Sequence, residues 1–274
     1  MNTYYVGRQQ LTLIFRSKWL MSFGSLFVLL AFSVTYFSQT GVSGFDGFNR
    51  MTASLLNLNL LLVPLISLLM GSIFLAGEKE DSGLLLLLTY PVSTRAVLIG
   101  KYFGLLISLW TVLTCGYGVS LLSMYVISSE VSLIAILKFY LLSSLLAAIF
   151  ISISILIGIR SKTRFQALGI SLVVWSISVL LYEFILMGIS LVLSSQSILT
   201  MLSISIFLNP VEIIRVWSIL ALDGSSVFGP SLYDLTVWAN SWWGTLLFIF
   251  SSLLWIVLPI RISSALIKRG LEND

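Results

Sequence analysis

Six stretches of the chain are almost entirely apolar, contain no charged side chain, and approach or exceed the length that crosses a bilayer. They comprise residues 19–37, 51–77, 102–129, 139–159, 165–182 and 235–260, and the fifth continues past Glu183 to about residue 193. A helix needs about 20 mostly apolar residues to cross the hydrocarbon core. Each stretch therefore predicts one transmembrane helix, and the predicted fold class is an all-α, polytopic membrane protein with six spans.

The composition excludes most other classes of protein. Of the 274 residues, 58% are hydrophobic and 9% are charged, whereas a soluble domain carries about 25% charged residues. The charged side chains are too few to cover a soluble surface or to keep the chain disordered. The net charge of +4 is too small to indicate a nucleic-acid partner. The partner that such a surface fits is the lipid bilayer.

A further apolar run, residues 198–208, lies in the outer segment 194–242 between the fifth and sixth predicted spans. As a helix this run would rise only about 16 Å, roughly half the hydrocarbon thickness. We interpret it as an interfacial or half-inserted segment. The alternative is a seventh span.

The basic residues are distributed unevenly between the two sides of the membrane. With six spans, one side receives both termini and the loops after the second and fourth spans. The basic residues on that side are Arg8, Arg16, Lys18, Lys79, Arg95, Lys101, Arg160, Lys162, Arg164, Arg261, Lys268 and Arg269. The other side carries Arg50, Lys138 and Arg215. The positive-inside rule therefore predicts that the N- and C-termini are cytoplasmic.

Residues 1–18 predict a short amphipathic helix that precedes the six-helix domain of residues 19–274. A helical projection places Tyr4, Leu11, Ile14 and Phe15 on one face, and Gln9, Thr12 and Arg16 on the opposite face. Such a helix lies along the membrane interface with its apolar face in the lipid. The alternative is a basic anchor that only fixes the topology.

The loop of residues 77–101 combines acidic residues with a short leucine run. Its candidate site residues are Glu78, Glu80, Gly83, Leu84, Leu85, Leu86, Leu87, Leu88, Tyr90 and Pro91. Five leucines are too few to cross a bilayer. Pro91 disfavours helical geometry at Tyr90, and Ser93 or Thr94 can cap the next helix. We therefore predict a short leucine-rich helix that packs either into a groove of a partner protein or against the chain's own spans.

Glu183 interrupts the fifth apolar stretch. A carboxylate at membrane depth is costly and usually faces the bundle interior or water. We expect it to have no Lys, Arg or His partner within the spans. Glu183 is therefore either a gate or pathway residue, or a carboxylate near the outer end of its span that reaches the headgroups.

The sequence from Asn209 to Arg215 predicts a short outer helix. Asn209 is a typical cap, Pro210 suits the first helical position, and Glu212 falls in the first turn, where negative charge is favourable. This helix either closes a pathway, contacts an outside partner or serves only as a connector.

Enzymatic signatures are absent from the sequence. The chain has no histidine, a single cysteine (Cys115), and no Gly-x-x-x-x-Gly-Lys-Ser/Thr phosphate loop. His-based acid–base or metal chemistry is therefore excluded, and ATP binding by a phosphate loop is not predicted. We predict no catalytic, cofactor-binding or metal-binding residue in this chain. We expect Cys115 to be a packed apolar residue.

The loop motif resembles that of the ABC-2 type permease family. It reads Gly77-Glu78-x-Glu80-x-x-Gly83-x-Leu85-x-Leu87-Leu88-x-Tyr90-Pro91-Val92-Ser93, followed by Gly100-Lys101-Tyr102-Phe103-Gly104. The six spans, the cytoplasmic termini and the N-terminal helix are also similar to that family. The resemblance implies a type V exporter-like permease fold in the bacterial cytoplasmic (inner) membrane, with a second copy forming a homodimer. It also implies a separate cytoplasmic ATPase that binds ATP and Mg, with a groove for the helix of residues 82–90.

Within the family, three features resemble the permease subunits that serve nitrous-oxide reductase maturation. They are the unbroken leucine run before Tyr90-Pro91, the Asn209-Pro210 pair followed by an acid and Arg215, and a Gly-rich first outer loop before a span with Pro64. This resemblance implies a copper-related system with a periplasmic β-helical accessory protein. Without histidine, this subunit is expected to transmit motion rather than carry copper. The alternatives are an exporter of a lipid-like or amphiphilic molecule and a passive membrane scaffold.

Overall fold

The computed structural model describes residues 3–39, 50–83, 93–127, 133–192, 195–222, 224 and 233–273. The helices within these ranges are α1 (Thr3–Phe15), α2 (Lys18–Gln39), α3 (Arg50–Glu80), α4 (Thr94–Ile127), α5 (Leu133–Arg160), α6 (Arg164–Trp175), a π-helix (Ser176–Leu181), α7 (Tyr182–Ser190), α8 (Ser195–Leu208), α9 (Pro210–Ala221), α10 (Tyr233–Asn240) and α11 (Trp242–Asn273). No strand occurs in these ranges. The prediction of an all-α protein is confirmed.

Five helical segments are each long and apolar enough to cross a membrane. They are Thr52–Glu80, Thr94–Ser123, Leu133–Arg160, Arg164–Ser190 and Trp242–Lys268. Two pairs of helices also qualify if each pair is taken as one bent span: α1 with α2, bent by 70°, and α8 with α9, bent by 111°. The described residues thus provide five to seven candidate spans, and the predicted six lies within that range.

The centre of the bundle is formed by α3 and α5. In their most apolar windows 78% and 83% of the residues are buried, against 6% in Arg164–Ser190 and 17% in Trp242–Lys268. Small residues bring the two helices together, because a side chain at Gly71 would collide with Ser154. A Cβ at Gly158 would lie 3.0 Å from the carbonyl oxygen of Ser72. Close packing of this kind drives helix association in lipid, where burial of apolar surface between helices gains little.

A buried polar cluster ties α3, α4 and α5 together inside the bundle. Tyr117 Oη accepts a hydrogen bond from Asn59 Nδ2 and lies 2.6 Å from Ser143 Oγ. All three side chains are buried. Phe27 of α2 packs against Tyr117 with 6.3 Å between ring centroids. These interhelical hydrogen bonds satisfy polar groups at a depth where no water is available.

The N-terminal helix α1 packs one face against α4. Gln10 and Ile14 are buried, whereas Phe15 is 42% exposed. Two members of the predicted apolar face, Ile14 and Phe15, thus differ in exposure, and the placement of that face in the lipid interface stays a prediction. The buried face meets protein: a Cβ at Gly7 would lie 3.3 Å from the Gly100 carbonyl oxygen of α4. A protein surface can offer a buried glutamine a hydrogen-bond partner, and lipid tails cannot.

The fifth predicted span contains an irregular turn. Between α6 and α7 the backbone forms the π-helix Ser176–Leu181, and the N–H of Tyr182 bonds to the carbonyl of Ile177, five residues earlier. Such π-turns are rare and frequently occur at functional sites. The almost entirely apolar run of residues 165–182 gave no indication of it.

Cys115 is exposed on α4, so the prediction of a packed cysteine is wrong. The next two residues, Gly116 and Tyr117, face Phe27 of α2. Because a helix turns by about 100° per residue, Cys115 then points away from the bundle. An apolar run shows that a residue lies within a span, but not which way it faces.

Candidate functional site

Charged and amide side chains gather in two clusters near the two ends of the fifth span. The loop cluster consists of Gln10, Glu78, Glu80, Asp81, Lys101 and Arg164. The bent-pair cluster consists of Glu183, Asn209, Glu212 and Arg215. Arg164 begins α6 and Glu183 lies in the first turn of α7, so the clusters are about 28 Å apart along the helix axis at 1.5 Å per residue.

Lys101 is the central residue of the loop cluster. It is only 3% exposed, and its ammonium group forms an ion pair with Glu78 at the end of α3. The same Nζ donates to Gln10 Oε1 of α1 over 3.3 Å. A buried charge is tolerated when it is paired and hydrogen-bonded. One lysine thus connects α1, the end of α3 and the start of α4.

Arg164 joins the end of α3 to the start of α6. Its guanidinium group pairs with Asp81, and its Nε lies 3.9 Å from Glu80 Oε2. Its backbone N–H donates to Glu80 Oε2 over 2.9 Å. This carboxylate occupies the N-terminus of α6, where the helix dipole favours negative charge. Gly77 leaves the space for the arginine, because a Cβ there would lie within 3.3 Å of the Arg164 Cδ atom.

The motif residues beyond this junction fall mostly outside the described ranges. Gly83 is described and exposed. The candidate residues Leu84, Leu85, Leu86, Leu87, Leu88, Tyr90 and Pro91 lie outside the described residues. At the start of α4, the N–H of Ala96 donates to Ser93 Oγ over 3.3 Å. This contact confirms that Ser93 caps α4.

Asn209 caps α9, as predicted. Its Oδ1 accepts a hydrogen bond from the Val211 N–H over 3.0 Å, and Pro210 occupies the first turn. The other end of the amide, Nδ2, donates to the carbonyl of Ser178 within the π-helix over 2.7 Å. Asn209 therefore satisfies a donor at the start of one helix and an acceptor in the irregular turn of another.

Glu183 forms an ion pair with Arg215 of α9. The partner comes from the predicted outer segment and not from one of the six predicted spans, a contact that the sequence analysis did not predict. Arg215 also lies 3.7 Å from Glu212, one turn earlier in α9. The bent pair turns the chain back by 111° between α8 and α9 and so brings Arg215 beside the fifth span. The positions of the apolar runs along the chain carry no signal for this contact.

Sequence reasoning selected Glu78, Glu80, Glu183 and Arg215 as candidate residues. It did not pair Glu183 with Arg215. It also did not select Lys101 and Arg164, the contacts of the two loop acids, or Gln10, which contacts Lys101. Lys101 stands in the loop motif, and a lysine about two turns into an apolar helix is a signal that it needs a buried acid. Gln10 and Arg164 gave no such signal, since both are ordinary residues for an interfacial helix and a basic loop. Among the described residues, no three His, Cys, Asp or Glu side chains are grouped so that they could hold a metal ion.

Comparison with known proteins defines the class. Residues 8–269 match the family described as "ABC-2 family transporter protein". The chain belongs to this family and is a permease subunit of an ABC transporter, a multi-pass membrane protein. The predicted family is confirmed.

Two named relatives are similar over most of the chain. The first, "Probable ABC transporter permease protein NosY" of Pseudomonas aeruginosa, is 30% identical over 248 residues, covering 87% of this chain and 90% of that protein. The second, a protein of the same name from Stutzerimonas stutzeri, is 28% identical over 275 residues, covering 97% of this chain and 98% of that protein.

Proposed function

We propose that this subunit converts ATP hydrolysis in a separate cytoplasmic ATPase into movement across the bacterial cytoplasmic membrane, in a system that matures nitrous-oxide reductase. In this proposal six helices cross the membrane, both termini are cytoplasmic, and the bent pair α8–α9 is re-entrant from the outer side. Two copies form a homodimer, and ATP and Mg bind only in the ATPase.

The observation that carries the proposal is the anchoring of the two acidic residues that begin the coupling motif. Glu78 is paired with Lys101 of α4, and Glu80 contacts Arg164 at the start of α6. The chain leaves α3 between these two anchors and continues into the leucine run. A displacement of that run therefore pulls on two further helices. This is the connection that a subunit driven from its cytoplasmic side requires.

The maturation role is supported by the two relatives named NosY and by the motifs at Tyr90-Pro91 and Asn209-Pro210. In this role a periplasmic β-helical accessory protein contacts the bent pair. The sequence lacks histidine, the commonest side chain for metal binding. We therefore assign to this subunit the transmission of motion, with copper handled elsewhere in the system.

The composition of the native complex tests this function. The tagged chain is purified from its host in mild detergent, and the accompanying proteins are identified by mass spectrometry. An ATPase together with a secreted repeat protein is the expected result. An ATPase alone would favour an exporter of an amphiphilic molecule. If no ATPase accompanies the chain in several detergents, it is a scaffold and the coupling role is wrong.

A single substitution tests the coupling segment. Leu86→Asp places a charge in the leucine run and should abolish association with the ATPase, because a charge cannot be buried in an apolar groove without a partner. Leu86→Met keeps the volume and the apolar character, so it should leave association unchanged. Retained association in the aspartate variant would contradict the assignment of this segment.

A further inference from the structure

The two halves of the fifth span are held in different ways. The first half, α6, packs against α3: Ser171 Oγ lies 2.7 Å from Ser72 Oγ, and Trp175 Nε1 donates to the Leu61 carbonyl over 2.9 Å. Both bonds join α6 to the centre of the bundle. The first half is therefore part of the packed body of the protein.

The second half, α7, has no buried residue. Its described connections to other helices are polar. Tyr182 Oη donates to the carbonyl of Ser205 in α8 over 2.7 Å, and Glu183 pairs with Arg215 in α9. Because lipid tails are as apolar as the side chains of α7, leaving the bent pair costs this helix little apolar contact. Two polar links, rather than packing, hold α7 against the bent pair.

Between the two halves lies the π-helix Ser176–Leu181. A π-turn interrupts the regular ladder of backbone hydrogen bonds and is one of the few features that let a helix kink sharply. The Ser178 carbonyl accepts the Asn209 amide, so the turn itself is fixed to the bent pair. The freedom to move begins beyond that contact, at the first turn of α7.

We infer that α7 is a latched lever: it swings about the π-helix between a position docked on α8–α9 and a released position, and Tyr182 and Glu183 are the latch. In the docked position α7 lies along the bent pair α8–α9. When the two polar links break, α7 is released. Arg215 keeps a second acid, Glu212, at 3.7 Å, so its charge remains paired after Glu183 leaves. This inference goes beyond the proposed function, and its test needs no ATPase.

Distance measurements on the full chain in lipid nanodiscs test the lever. On a Cys115→Ser background, spin labels are attached at Val173→Cys and Met187→Cys, two exposed positions on either side of the π-helix. The matched control pair, Trp243→Cys with Val257→Cys, has the same separation along the continuous helix α11, and both positions are exposed. The control pair should give one narrow distance distribution, and the pair Val173→Cys with Met187→Cys, the lever pair, should give two populations. A distance distribution of the lever pair as narrow as that of the control would overturn the inference.

A latch variant tests the assigned residues. Tyr182→Phe combined with Glu183→Gln removes the phenol hydroxyl and the negative charge with little change in volume. The released population should rise about tenfold, given the strength of interhelical polar bonds in membranes. A third pair, Leu61→Cys with Val173→Cys, should keep a narrow distance distribution in this variant. That result would show that α6 is still docked on α3 and that the protein is folded. Unchanged lever populations in the variant would overturn the latch.

Discussion

The ammonium group of Lys101 is shared between the carboxylate of Glu78 and the amide oxygen of Gln10. The three residues come from three helices, and the lysine side chain is 4% exposed. A charge at this depth depends on its partners. The arrangement makes the loop cluster sensitive to a change in any one of them.

Lys101→Met should destabilise the protein by about 3 kcal/mol, because removal of one partner leaves the other charge unpaired. Glu78 keeps some access to water, because 22% of its side chain is exposed. The expected loss of stability is therefore at the lower end of the range of about 3–5 kcal/mol for broken buried ion pairs. The free energy of unfolding in mixed micelles measures it. Adding Glu78→Leu should restore most of the loss, since an apolar pair of similar size replaces the ion pair. Equal stability of the single and double variants would contradict the pairing.

Gly104→Ala should displace α1 from α4. The added Cβ would lie 2.7 Å from Gln10 Cβ and 3.0 Å from the Gly7 carbonyl oxygen, and overpacking of this kind costs about 1–3 kcal/mol. Gly118 on the same helix has no atom within 4 Å of an added Cβ, so Gly118→Ala should be neutral or stabilising by up to about 1 kcal/mol. Protease cleavage within residues 3–15 reports release of α1. Equal cleavage of the two variants would contradict the predicted contact.

Arg164→Gln should lower the stimulation of the ATPase by the membrane subunit more than it lowers the stability of the protein. The guanidinium is 51% exposed and its acidic partners 43% and 66%, and such surface pairs contribute only about 0–1 kcal/mol. The ATPase should still associate, but stimulation of its activity by the membrane subunit should fall. Lys162→Gln, at an exposed neighbouring position, is the control and should leave stimulation unchanged. Normal stimulation in both variants would show that α6 is not driven through Arg164.

The two hydrogen bonds of the Asn209 side chain can be removed one at a time by substitution. Asn209→Asp keeps the oxygen that caps α9 but loses the donor to Ser178, whereas Asn209→Ala loses both. A cap is worth about 1 kcal/mol, and an interhelical hydrogen bond in a membrane about 0.6–2 kcal/mol. The alanine variant should therefore be less stable than the aspartate variant, by thermal unfolding in micelles. The reverse order would show that the aspartate charge costs more than the cap contributes.

The long helices were predictable because lipid imposes one simple condition, a sufficient run of apolar residues. The start of α9 was predictable for a different reason: Asn209 and Pro210 act on the backbone beside them. Local chemistry of this kind can be read from a few neighbouring residues. The cap at Ser93 belongs to the same group.

The contacts of the charged residues could not be predicted in the same way. Glu183 meets Arg215 only because α8 and α9 fold back on the bundle, and Gln10 is buried because α4 supplies Lys101. Both depend on tertiary packing that one sequence does not reveal. The π-helix was missed because its residues are as apolar as those of a regular span. The leucine run of residues 84–88 lies outside the described ranges, so the helix of residues 82–90 stays a prediction.

The interlocking of Gly71 with Ser154 and of Gly158 with Ser72 has a kinematic consequence. Neither α3 nor α5 can slide along the other without driving a side chain into backbone. The two helices therefore form one rigid unit. The second half of the fifth span, α7, differs from this pair because it buries no residue. A small molecule that holds α7 in one position would therefore have to bind on the lipid-facing side of the bundle.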